Sequence, residues 1–224
     1  AYRVLADFCT VELSAFYLDV LKDRLYTSAP QGAARRSAQT VLWRMLDLLV
    51  RLFAPLLPFT TEEIWETMGA AGLREGAGGS VHEQVFAEVR AWFPAGLDAP
   101  DEDARWERLM VWREAVLQAL ERARQEKRIG TSLEAQLELR AAPPDAELLA
   151  AGVEQLPALF IVSQVCVAPA PPGAAPEVRV LAAAGRKCER CWNYSEAVGA
   201  DATHPTLCDR CTRALAEMGA AAAR

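Results

Sequence analysis

Four cysteines near the C-terminus, Cys188, Cys191, Cys208 and Cys211, stand as two Cys-x2-Cys pairs separated by 16 residues. Thiolates are soft ligands, and Zn2+ takes four of them in a tetrahedron at about 2.3 Å. Two intervening residues let the chain fold back, so that both thiols of a pair face one side of an ion. A second pair closes the other side, and the spacer lies within the range of paired zinc knuckles. Four protein sulfurs leave no position open to water, so one such Zn2+ would be structural and not catalytic. Binding energy on the order of 10 kcal/mol would fold a tail that has little core of its own. A single pair would also be compatible with a redox dithiol or a chance coincidence. His204, four residues before Cys208, is an imidazole that could replace a thiol. Cys9 and Cys166 stand alone in apolar surroundings.

Cations flank both knuckles: Arg186, Lys187 and Arg190 at the first, Arg210 and Arg213 at the second. Trp192 and Tyr194 follow directly after Cys191. Guanidinium groups interleaved with aromatic rings suit the phosphates and unstacked bases of RNA. Glu189, Glu196, Asp201 and Asp209 oppose that reading, and four thiolates on Zn2+ add a further net −2. Trp192 could equally pack over the ion, with the arginines merely solvated. A second basic cluster, Arg122, Arg124, Lys127 and Arg128, reads equally well as a helix end whose cations complement the macrodipole.

No other chemistry is legible. The chain has no phosphate-binding glycine loop, no dinucleotide fingerprint and no nucleophile elbow. His82-Glu83 lacks the second histidine of a zinc-protease helix. Adjacent carboxylates such as Glu62 and Glu63 point to different sides of a helix and make no acid/base pair.

The elements that must position the cysteines are mostly helical. Val4, Leu5, Phe8, Val11, Ala15, Leu18, Leu21 and Leu25 recur mostly at three- and four-residue steps and predict an apolar stripe. A turn over residues 28–32 leads to a second helix from about Ala34 to Ala54. Its polar residues Arg36, Thr40, Arg44, Asp47 and Arg51 define one narrow solvent stripe. Pro55 and Pro58 end it, and Thr60-x-x-Glu63 reads as a capping box for a third, short helix. Residues 69–80 are glycine-rich loop, residues 81–97 are ambiguous, and Pro94 to Pro100 is a second break. A long helix follows from Asp101 to Arg128, with Trp106, Leu109, Met110, Val116, Leu117 and Leu120 on its apolar face and Gly130 as its stop. The period then shortens to two: Leu133, Ala135, Leu137 and Leu139 alternate with polar residues as in a half-buried strand. A short helix over residues 145–151, a buried strand over 159–167 and a third strand at 178–182 complete a small α+β unit. The fold class is therefore mainly α with α+β: a helical bundle over 1–97, a helix with a small α+β junction over 98–183, and a four-cysteine zinc domain over 184–224.

With 24 Lys+Arg against 30 Asp+Glu, the net charge is −6, which argues against a wholly basic nucleic-acid binder but not against a local patch. A hydrophobic share of 52% excludes a disordered chain. No uncharged run approaches the roughly 18 residues of a membrane span, and the first residues do not form a secretory leader. The chain starts at Ala1 as if within a helix and reads as a piece of a longer protein.

The stretches DFCTVELSAFYLDVLKDRLY (7–26), RRSAQTVLWRMLDLLVRLFAPLLPFTTEEIW (35–65) and KRIGTSLEA (127–135), with the ending KCERCWNY…VG…HPTLCDRC (187–211), resemble the C-terminal part of bacterial isoleucyl-tRNA synthetases. The resemblance implies an anticodon-binding helical domain, a junction region and a zinc domain, in that order. It implies a tRNA partner, that for isoleucine, and zinc held by Cys188, Cys191, Cys208 and Cys211. It also implies a monomeric, cytoplasmic enzyme, not membrane-bound, that joins isoleucine to its tRNA. ATP and Mg2+ would act only in a catalytic domain whose His-Ile-Gly-His and Lys-Met-Ser-Lys-Ser signatures are absent from these residues. This piece alone would be inactive and would carry no catalytic residue. Arg35, Arg36, Lys127 and Arg128 join Arg186, Lys187, Arg190, Trp192, Arg210 and Arg213 as candidates for RNA contact. Two other readings compete: the C-terminal zinc-finger region of a DNA glycosylase, and a structural-zinc module for protein contacts.

Overall fold

A computed structural model describes residues 2–74, 79–86 and 100–222. The chain divides into two compact units, one of Ala1–Ala15 with Pro30–Leu97 and one of Phe16–Ala29 with Asp98–Arg224. The architecture is the mainly helical one expected, with a small sheet and a four-cysteine tail. Among the described residues no helix is long and apolar enough to cross a membrane.

Helix α1 (Tyr2–Asp7) runs into wider π-type turns over Phe8–Leu18 and then into α2 (Asp19–Thr27). Those turns take more residues each than an α-helix, because their bonds run i to i+5. Residues at three- and four-residue steps therefore drift off one face. Val4 and Val11 lie exposed, and Leu21 is the buried member of the anticipated stripe.

In the first unit, α3 (Ala33–Phe53) packs with α4 (Pro58–Ala70) and a 3-10 turn at Val81–Glu83. Val50, Ala54, Trp65, Met68 and Val81 form the core between them. The anticipated solvent stripe of α3 is corrected at Asp47, which is buried and holds Arg51 through Oδ1 at 3.0 and 3.2 Å. Val41, Trp43 and Leu46 are exposed instead. The capping box also lies elsewhere. Helix α4 begins at Pro58, whose fixed φ suits a first turn, and Thr61 donates back to the carbonyls of Leu57 and Pro58. The box that does form is at Ser80 and Glu83. Glu62 binds Ser80 Oγ at 2.6 Å and the Val81 amide at 3.1 Å, which ties that turn to α4. These bonds, Ser80 first, hold the Glu62 carboxyl below its usual range. Residues 75–78 and most of the stretch 81–97 with the Pro94–Pro100 break lie outside the described residues.

In the second unit, α5 (Pro100–Gln125) backs a three-stranded sheet of order β2-β1-β3. Strand β1 (Ala135–Ala141) pairs parallel with β2 (Gln164–Pro169) and antiparallel with β3 (Glu177–Ala182). The alternation is borne out from Ala135 on, with Ala135, Leu137, Leu139 and Ala141 buried in turn, whereas Leu133, expected to open the strand, lies in a 3-10 turn over Ser132–Glu134. They meet Leu109, Trp112, Val116, Leu120 and Ala123 of α5 in one core. Trp106, Met110 and Leu117, expected on that face, are exposed, because the buried stripe follows 109, 112, 116, 120 and 123. The left-handed residue after α5 is Lys127 (φ 56°), not Gly130. Helix α6 (Asp145–Ala151) forms where expected. Residues 159–167 do not form one strand: α7 (Leu156–Phe160) carries Pro157 in its first turn and ends at left-handed Ile161, and β2 starts only at Gln164.

Candidate metal centre and nucleic-acid interface

The tail folds around its cysteines. Strands β4 (Arg186–Lys187) and β5 (Tyr194–Ser195) form a short hairpin, and α8 (Asp209–Ala222) begins at the second knuckle. In the first knuckle Trp192 N–H donates to the Cys188 carbonyl and Cys188 N–H to the Asn193 carbonyl, both at 2.9 Å. That turn closes because Trp192 adopts a left-handed φ of 65°. The Glu189 amide donates to the Thr206 carbonyl at 3.2 Å and joins the two knuckles. Gly185 (φ 85°) permits the hairpin's close approach, since a Cβ there would sit 2.3 Å from the Ser195 carbonyl carbon.

These bonds bring the Sγ atoms of Cys188, Cys191, Cys208 and Cys211 within 4.8 Å of one another, all buried. A tetrahedral ion at about 2.3 Å from sulfur needs sulfurs about 3.8 Å apart. Cys191 and Cys208 Sγ are 3.7 Å apart. The chemistry and clustering of the donor set therefore fit one Zn2+. Burial alone would push the Cys188 thiol up, but the amides of Cys191, Cys208 and Arg190 overcome it and bring its pKa down to about 6. The Cys208 amide lies 3.3 Å from that sulfur. Burial raises Cys208 and Cys211. His204 is not in the cluster; its amide donates to Asp201 Oδ1 at 2.9 Å.

The candidate RNA residues separate by what already engages them. Arg190 Nη1 donates to the Thr27 carbonyl and lies 3.6 Å from Cys211 Sγ. Arg210 forms a two-pronged pair with Asp23, which raises its pKa. These two cations position the tail on α2. Arg186 donates to the Val198 carbonyl at 2.6 Å and Arg213 pairs with Asp209 at 3.0 Å. Arg128 donates to the Val180 carbonyl at 2.7 Å, and Lys127 beside it is exposed. Arg35 and Arg36 occupy the first turn of α3 in the other unit, Arg36 exposed. Trp192 is 60% exposed, with the Lys187 ammonium 5.3 Å from the centre of its ring. It borders a mostly apolar cavity of about 660 Å3 with Tyr26, Ile161 and Tyr194. Asp23 and Thr27 escape sequence reasoning because their partners are 187 and 163 residues away.

The helical region and the tail each match a known family. Residues 1–139 match the anticodon-binding domain of tRNA ligases. The chain belongs to this family. Residues 185–214 match the zinc finger found in FPG and IleRS. The chain is 47% identical to an isoleucine–tRNA ligase of Syntrophotalea carbinolica and 46% identical to one of Gloeobacter violaceus. Each alignment covers 96% of this chain, and 23% and 22% of the respective ligase. An isoleucine–tRNA ligase of Desulforamulus reducens is 44% identical over the same share of this chain. The chain thus spans about a quarter of the length of the relatives it matches.

Proposed function

We propose that the chain is the tRNA-binding C-terminal part of an isoleucine–tRNA ligase, an aminoacyl-tRNA synthetase that joins isoleucine to its tRNA with ATP. Within this reading residues 1–97 form the anticodon-binding bundle, 98–183 the junction, and 184–224 a domain in which Cys188, Cys191, Cys208 and Cys211 hold one structural Zn2+. The ion supplies cross-linking and no reaction chemistry, since its four positions are filled by protein sulfur. ATP and Mg2+ act elsewhere in the longer, cytoplasmic, monomeric protein.

The observation that carries the reading is the collinear pair of family matches, 1–139 and 185–214, the second enclosing a preformed four-thiol cluster. The zinc finger alone is shared with FPG. The anticodon-binding match and the ligase relatives favour the synthetase over a DNA glycosylase. Trp192 supplies a wet aromatic face and Arg213 and Lys187 supply exposed charge, as single-stranded bases and phosphates require.

Filter-binding titrations of the zinc-loaded chain test this, with isoleucine tRNA, another tRNA and abasic duplex DNA at two salt concentrations. Retention of tRNA, tighter for the isoleucine anticodon, is expected. Trp192→Ala should weaken it with zinc content unchanged, by about 1–3 kcal/mol for a stacked base, roughly 5- to 150-fold. Preference for abasic DNA contradicts the reading in favour of a glycosylase. Binding to neither favours a protein-contact module.

A further inference from the structure

A recess of about 300 Å3 opens in the second unit between the last turns of α5 and strand β3. Its polar lining is Arg122, Arg128 and Arg179, and among the described residues no acidic one lines it. The rest of the wall is apolar, from Ala119 and the strand residues Val178, Val180 and Leu181. Arg128 is fixed in place by its bond to the Val180 carbonyl and meets Glu126 through Nε at 2.7 Å. Arg179 meets Glu177 through Nε at 2.6 Å, and Arg140 reaches the same carboxylate at 3.8 Å. Three carboxylates, Glu126, Glu177 and Glu138 (opposite Arg179 in the strand register), therefore stand among four guanidiniums, Arg122, Arg128, Arg140 and Arg179, a local excess of one positive charge. Arg124, in the same turn, is already paired with Glu121.

A helix C-terminus ordinarily repels an anion, because its free carbonyls carry partial negative charge. Here three of the last four carbonyls are taken. The Arg122, Ala123 and Arg124 oxygens accept from the amides of Glu126, Arg128 and Lys127 at 3.0, 2.9 and 2.9 Å. A recess lined by three arginines is unexpected in a chain of net charge −6. Guanidinium forks match the paired oxygens of a phosphate.

We propose that this recess holds a backbone phosphate of tRNA, with Arg122, Arg128 and Arg179 as its donors. The proposal rests on the reading of the chain as a tRNA binder. It adds to that reading a site that grips the ribose-phosphate chain without regard to base. Phosphate contacts position a nucleic acid but carry no sequence information. The contribution is therefore the same for an isoleucine tRNA and for any other.

The test compares the chain with Arg122→Gln/Arg179→Gln and with Arg122→Lys/Arg179→Lys. Arg128 is left alone because it holds the strand. Affinity for two tRNAs is measured against salt, and circular dichroism confirms that each variant is folded. The glutamine variant should bind both tRNAs more weakly by the same factor, with the salt slope shallower by about 1 for each phosphate it no longer neutralises. The lysine variant should keep the slope. In the unaltered chain, inorganic phosphate should shift the Nε–Hε signals of Arg122, Arg128 and Arg179 in NMR spectra. If the glutamine variant binds both tRNAs with unchanged slope, or if phosphate leaves those signals unmoved, the proposal is overturned. Phosphate shifts in a chain that retains no tRNA overturn the RNA assignment in favour of a free phosphate. That result also identifies the tRNA reading as the part that failed.

Discussion

Arg210 and Asp23, 187 residues apart in sequence, form a two-pronged ion pair that ties the start of α8 to α2. Arg190, one residue before Cys191, reaches the Thr27 carbonyl one turn further along the same helix. The four-thiol cluster is thus seated on α2 by two guanidiniums that a reading of local charge would assign to RNA. Cations next to a metal knuckle can serve the protein's own packing.

Removing either member of the pair should loosen the tail on α2 and leave the cluster intact. Arg210 and Asp23 remain partly in water, so the coupling energy in a double-mutant cycle of Arg210→Ala and Asp23→Ala is expected at about 1 kcal/mol or less. Zinc content should stay at the unaltered level. A cycle with no coupling would make the pair incidental.

Cys191→Ser removes one of the four clustered thiols proposed to hold zinc, and among the described residues no fifth donor joins that cluster. Zinc content should drop, and amide exchange should accelerate over 185–214 and α8. Helices α3 and α4 should keep their protection, because their core of Val50, Trp65 and Met68 contains no part of the tail. Elemental analysis with hydrogen-exchange mass spectrometry reads both effects. Retained metal would show that three sulfurs suffice.

Leu137 is wholly buried on the middle strand, opposite Val165 and Val180. Leu137→Ala should destabilise the second unit by about 2–5 kcal/mol, from reduced burial and a cavity the sheet cannot close. Chemical denaturation of the zinc-loaded chain measures it. A change under about 1 kcal/mol would mean that the neighbouring side chains collapse into the space.

Glu134 accepts from the Gly130 amide at 2.7 Å, which more than any other interaction holds its carboxyl below the usual range. A folded pKa below the unfolded value means that the stabilisation is complete above the unfolded carboxylate pKa of about 4.3. It is lost as pH falls through the lower, folded value. Glu134→Gln should therefore lower stability at neutral pH and flatten the acid limb of the stability profile below about pH 4.3. An acid limb identical to that of the unaltered chain would remove Glu134 from the account.

Period and punctuation made much of the fold legible. The two-residue alternation from Ala135 to Ala141 sets strand β1, and α6 falls on its expected residues. The cysteine spacing pointed to the cluster that the fold assembles. Long-range contacts were beyond such reading. Asp47 sits on a polar stripe yet turns inward, because Arg51 one turn later neutralises it. The apolar run after Leu156 split into helix and strand at Ile161, whose left-handed backbone nothing in an apolar run announces. The π-type turns over Phe8–Leu18 likewise have no compositional mark. The cations were harder still, since only the fold tells which of them Asp23, Val198 or Thr27 already holds.

The account turns on four sulfurs holding one ion, and zinc stoichiometry under native conditions reads that directly. Elemental analysis of the purified chain, with thiol alkylation of the same sample, should give one zinc per chain. Cys188, Cys191, Cys208 and Cys211 should be protected, and the exposed Cys166 should react. A metal-free chain whose four tail thiols alkylate as fast as Cys166 would contradict the account.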